Sequence, residues 1–144
     1  MTTAERRTRN STGPILPRRL AHALSVLAEG LPNPWDESTD YFMPFSAELA
    51  DDEPLNAETL RPVLGIAERY HIDIDAADLL DATAGWDDAT AEGFRVLDAV
   101  LDATLTDVKR VFARAEGAVR VRTWILGRIE GGWLVGLRTE STET

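Results

Sequence analysis

With 144 residues, 44% of them hydrophobic and 28% charged, the chain matches a single folded domain with one hydrophobic core, and this balance is that of a globular protein rather than a disordered one. The absence of cysteine excludes disulfides, thiolate metal sites and a cysteine nucleophile, and makes the cytoplasm the expected compartment. The net charge of −10 disfavours direct nucleic-acid binding, and no apolar run has the length of a membrane span, so neither nucleic acid nor membrane is an expected partner.

Residues 1–13 are polar and carry Arg6, Arg7 and Arg9, which predicts a disordered arm ahead of one domain over 14–144. After Pro14 and Pro17, Leu20, Leu24, Leu27 and Leu31 recur at helical spacing, and Gly30 with Pro32 and Pro34 ends that helix. An acidic loop at Trp35–Asp40 precedes Tyr41–Ser46, an aromatic-rich strand that Pro44 assigns to an edge or a bend. Asn56 then caps a helix through Leu60, Val63 and Leu64, kept short or kinked by Pro62. His71–Ile74 alternates as a strand does, and Asp75 is expected to cap a short helix containing Leu79 and Leu80.

Past the Gly85–Asp88 loop, Phe94, Leu97, Leu101 and Leu105 form the apolar stripe of a longer helix, opposite Arg95, Asp98 and Asp102. Val108–Arg114 reads either as a strand or as a continuation of that helix, because Val108 and Phe112 keep its spacing. Ala118–Ile129 and Trp133–Glu140 read as antiparallel strands separated by glycine turns at Glu116–Gly117 and Glu130–Gly132. Val119, Val121, Thr123 and Ile125 fall on one face of the first of these, and Arg120, Arg122 and Trp124 on the other. Ser141–Thr144 is expected to project beyond the last strand. The element order α-β-α-β-α-α-β-β-β suits an α+β fold with one mainly antiparallel sheet.

The charge is unevenly placed. Asp36 to Asp107 carries nineteen acidic residues against Arg61, Arg69 and Arg95, a net −16, while the flanks are each +3. Such a block is either a solvated surface or a mimic of nucleic-acid phosphates that is drawn to a basic cleft. Catalytic templates fail: His22 and His71 stand in different elements and are expected to be partly buried structural residues, and no nucleophile elbow or phosphate loop occurs. Paired carboxylates such as Asp51-Asp52-Glu53, Asp73 with Asp75, and Asp87-Asp88 lack the spacing of a calcium loop. No cofactor, no metal site of the protein's own and no enzymatic activity are expected. A hydrolase using two carboxylates is the remaining catalytic reading, and it would need a pocket lined by both.

Several segments together carry a family likeness. Phe94-Arg95-x-Leu97 through Leu105, Trp124-Ile125-Leu126-Gly127, Gly132-Trp133-Leu134-Val135-Gly136 and the terminal Glu143-Thr144, preceded by Glu29-Gly30-Leu31, Asp36-Glu37-Ser38 and Tyr41 with Pro44-Phe45, resemble the nuclease A inhibitor family over roughly residues 20–144. The resemblance implies an α/β/α sandwich that inhibits a sugar-non-specific DNA and RNA nuclease of the ββα-metal type. It further implies that a loop carboxylate, an Asp-Trp pair and a C-terminal threonine engage the enzyme, the carboxylate and terminus approaching its Mg²⁺ through bound water. Here the threonine is Thr144, after Glu143; the carboxylate is Glu37 or Asp36; and the pair stands in reversed order as Trp86-Asp87. The implied partner is a nuclease, with the free inhibitor expected to be a monomer. The alternative is a non-inhibitory interaction or regulatory domain of the same fold, using the face that bears Arg120, Arg122 and Trp124.

Overall fold

The last third of the chain reverses twice where glycine supplies backbone that other residues rarely adopt: Gly117 has a φ of +76° in the first reversal, and Gly131 and Gly132 have φ of +95° and +81° in the second. The computed structural model describes residues 3–32, 34, 41–115, 117 and 120–142, with side chains between residues 15 and 140. Its elements are α1 (Thr3–Leu27), β1 (Met43–Glu48), α2 (Ala57–Val63), β2 (His71–Ala76), α3 (Leu79–Ala82), α4 (Asp88–Thr104), β3 (Thr106–Arg114), β4 (Arg120–Ile129) and β5 (Trp133–Thr142). This is the order read from the sequence. The strands form one open antiparallel sheet, β1-β5-β4-β3-β2, an α+β fold.

Both faces of the sheet are packed. On one, Ile125, Val135 and Leu137 meet Ala21 and Leu24 of α1 with Ala28 just after it, Leu79 of α3, and Phe94, Leu97 and Leu101 of α4. On the other, Val111, Ala113, Trp124, Leu126 and Leu134 meet Leu60 of α2 with Leu64 and Ile66 just beyond it. Central β4 is therefore buried on both sides, and its alternation separates two cores instead of a core from solvent. Edge strand β1 accommodates Pro44, whose missing N–H would break a ladder further inside.

Several expectations shift in detail. Helix α1 begins at Thr3, within the stretch expected as an arm. It buries Ala21 and Leu24, with Ala28 just past its end, and leaves Leu20 and Leu31 half-buried and Leu27 36% exposed, so the contact line keeps Leu24 of the leucine stripe and adds two small alanines. Asp75 does not cap a helix. Pairing with β3 carries β2 on to Ala76, and the cap is Asp78, whose carboxylate accepts the Asp81 N–H at 3.3 Å. Residues 106–114 are strand: Leu105 is already extended (φ −120°, ψ 154°), and a register shift between Thr106 and Lys109, with Asp107 at φ 53°, carries the chain into β3. His22 and His71 are both exposed rather than partly buried, with His71 Nε2 3.0 Å from Asp73 Oδ1.

Candidate functional site

Part of the acidic block, Asp73 and Asp75 on β2, Asp78 and Asp81 at α3, and Asp98 and Asp102 on α4, comes together along one edge of the described structure. In β2, Ile72 is buried and Ile74 half-buried beneath α2, so the alternating residues His71, Asp73 and Asp75 are left exposed. Asp75 Oδ2 lies 3.2 Å from Arg110 Nη2, and the Arg110 guanidinium lies over the Phe112 ring, 4.5 Å from its centroid. Asp75, Asp78, Asp81 and Arg110 line a shallow hollow of about 400 Å³.

From the next helix, Asp98 and Asp102 add to the same edge. The Asp98 carboxyl is pushed above its ordinary range, first by partial burial and then by the charges of Asp102 and Asp78. These like charges are therefore close in space although twenty residues separate Asp78 from Asp98 in sequence. The three arginines of the block leave that charge largely standing. Arg61 donates to the Ala67 and Tyr70 carbonyls at 2.7 and 2.9 Å and lies 3.8 Å from the Glu68 carboxylate, Arg69 lies over Tyr70, and Arg95 pairs with Glu92 in the adjacent turn, so none of them is paired with Asp75, Asp78, Asp98 or Asp102.

The edge continues into the loop that joins α3 to α4. The Trp86 N–H donates to the Thr83 carbonyl at 3.1 Å, and its ring packs edge-on against buried Phe94, with centroids 5.8 Å apart at 84°. Trp86 thus roofs the first core with part of its ring still exposed. Asp87 is the N-cap of α4; its Oδ1 accepts the Thr90 N–H at 3.0 Å. That bond holds the Asp87 carboxyl below its ordinary range.

Of the residues expected to face a partner, Trp86 and Asp87 are brought together at the start of α4, while Asp36, Glu37, Glu143 and Thr144 lie outside the described residues. Asp78, Asp98 and Asp102 were missed as a group. The four-residue spacing of Asp98 and Asp102 puts two like charges on one helix face and was the available signal; the approach of Asp78 depends on tertiary packing. On the alternative sheet face, Trp124 is buried, with the Arg122 guanidinium over it at 4.9 Å. Among the described residues, no group of three or more histidines or carboxylates is arranged to hold a metal ion, and no helix is long and apolar enough to cross a membrane. In the hollow beside α3, Asp75 is paired with Arg110 and Asp78 caps the helix, so both carboxylates already hold structure together. No protein-family model matches the chain, and no curated protein matches it.

Proposed function

We propose that this chain is an acidic protein inhibitor of a Mg²⁺-dependent, sugar-non-specific DNA and RNA nuclease, built as an α/β/α sandwich and without catalysis of its own. The observation that carries the reading is the concentration of carboxylates on one edge, where Asp75, Asp78 and Asp81 line one hollow and Asp98, raised first by burial and then by Asp102 and Asp78, stands beside them. Such a surface copies the closely spaced charges of a phosphate backbone, and a basic, metal-containing cleft would relieve the repulsion stored in it. In this reading the edge guides docking and Trp86, with Asp87 beside it, supplies an aromatic anchor. Asp36 or Glu37, together with Glu143 and Thr144, approaches the enzyme's hydrated metal. The free protein acts as a cytoplasmic monomer.

The decisive experiment is a nuclease-protection assay comparing the full chain with one lacking Glu143 and Thr144. We expect the truncated chain to inhibit at least about tenfold less well, the equivalent of one lost charge-assisted contact. Equal inhibition by the two chains would remove the terminal residues from the mechanism. Absence of inhibition by the full chain, toward any nuclease of this type, would overturn the functional reading itself.

A further inference from the structure

Among the described residues, the sheet face that packs against α2 is not covered along its whole length. Beyond Trp124, toward the start of β4, Tyr41, Met43, Arg120, Arg122, Trp124, Arg138, Thr139 and Glu140 line an open groove of about 390 Å³. Register explains why these residues meet. Arg138 on β5 lies opposite Trp124 on β4 and Met43 on β1, while Glu140 lies opposite Arg122. Cross-strand partners share a face, so three guanidinium groups and one carboxylate stand together, a local charge of +2 on a chain whose net charge is −10.

The three arginines are held differently. Arg120 pairs with Glu140 at 2.7 Å. Arg122 stacks on Trp124 and donates to the Leu64 and Gly65 carbonyls at 3.4 Å, at the point where the cover provided by α2 ends. Arg138 is exposed and has no ion pair or hydrogen bond to its side chain among the described residues. Tyr41 and Met43, 72% and 53% exposed, form an apolar rim at the edge strand.

We infer that this groove is a binding site for an extended acidic peptide segment of a protein partner, with carboxylates at alternate positions and an apolar residue at one end. Spacing supports this occupant. Arg120 and Arg122 are two residues apart on one strand, about 6.5–7 Å, and Arg138 is the diagonal neighbour of Arg122, about 7–8 Å away. An extended peptide presents every second side chain at that same repeat, so successive carboxylates meet successive guanidinium groups. A single small anion cannot span the row. A nucleic-acid backbone is disfavoured because three cations on so acidic a chain leave little counterion release to drive its binding. The groove is formed by β1, β5 and β4 and the acidic edge by β2, α3 and α4, but Glu143 and Thr144 of the inhibitor reading follow Thr142, the cross-strand partner of Arg120, so the two sites are told apart by the Arg138 variants below.

The test is fluorescence anisotropy at low salt with the full chain and a labelled synthetic nonapeptide of alternating glutamate and threonine that ends in phenylalanine. Comparison probes are a peptide of the same composition with its glutamates in one block, the alternating lysine analogue, an oligothymidylate and inorganic phosphate as competitor. The alternating peptide is expected to bind, and Arg138→Gln to weaken it about tenfold. Arg138→Glu should abolish binding, with the far-ultraviolet spectrum and melting temperature unchanged because Arg138 is exposed. Met43→Ser should weaken binding through the apolar end. No binding up to about 1 mM, equal affinity of Arg138→Glu, or block and alternating peptides binding alike would overturn the proposal. Tighter binding of the oligothymidylate would replace the peptide with a nucleic acid, and full competition by phosphate would reduce the site to a simple anion site. Nuclease inhibition should be unchanged by Arg138→Gln, which separates failure here from failure of the inhibitor reading.

Discussion

Gly136 shows how closely β5 approaches β4: a methyl group in place of its hydrogen would run into the Ile125 carbonyl oxygen and sit 2.8 Å from Leu126 Cα. Because those neighbours are backbone in the central strand, no rotamer change relieves the contact. Gly136→Ala is expected to lower unfolding stability by about 1–3 kcal/mol, measured by urea denaturation. Asp98 makes the opposite case. Its carboxyl is raised in the folded state by burial, Asp102 and Asp78, so the stability tied to it is fully present below the unfolded value of 3.8 and is lost as pH rises through the folded value. Ionisation of Asp98 therefore costs the fold stability. Asp98→Asn should stabilise the protein at pH 7 by about 0.2–0.5 kcal/mol, the scale of a like-charge pair four residues apart. That gain should shrink with added salt and vanish near pH 3; a variant whose gain is the same at pH 3 and pH 7 would refute the electrostatic origin.

At the scale of elements, short α2 depends on its cap. Asn56 Oδ1 accepts the Thr59 N–H at 2.9 Å, while Leu60 carries the helix's fully buried side chain. Asn56→Ala should cost about 1 kcal/mol in thermal or urea unfolding, whereas Asn56→Asp should cost much less. This helix was legible in the sequence because cap, apolar spacing and Pro62 all lie within a few residues of one another. The order of elements was legible for the same reason. What escaped was decided at longer range: β2 runs through Asp75 because β3 supplies its ladder partners, and the chain leaves the helical state at Leu105 because a bulge aims Val108 into the first core. The candidate site divides likewise. Trp86 and Asp87 could be named from local sequence, but the approach of Asp78 to Asp98 needs the packing of α3 on α4. The arginine groove needs the register that places Arg138 beside Trp124.

For the molecule as a whole, charge and topology sort surfaces by sign. Asp73, Asp75, Asp78 and Asp81 gather on the β2 side of the sheet, and the cationic groove opens between β1, β5 and β4. The same layout governs behaviour in concentrated solution. Both outer strands of an open sheet offer unpaired backbone groups that could template stacking of one molecule on the next. Pro44 interrupts that template on β1, and on β2 the exposed carboxylates of Asp73 and Asp75 occupy alternate positions along the edge. Removing both charges by Asp73→Asn with Asp75→Asn should leave the monomer folded yet raise light scattering and thioflavin fluorescence on incubation at neutral pH, an outcome that the unaltered chain should resist. Colloidal stability, on this view, is a second task of the acidic edge: the charge that would draw in a basic partner also keeps copies of the chain from joining strand to strand.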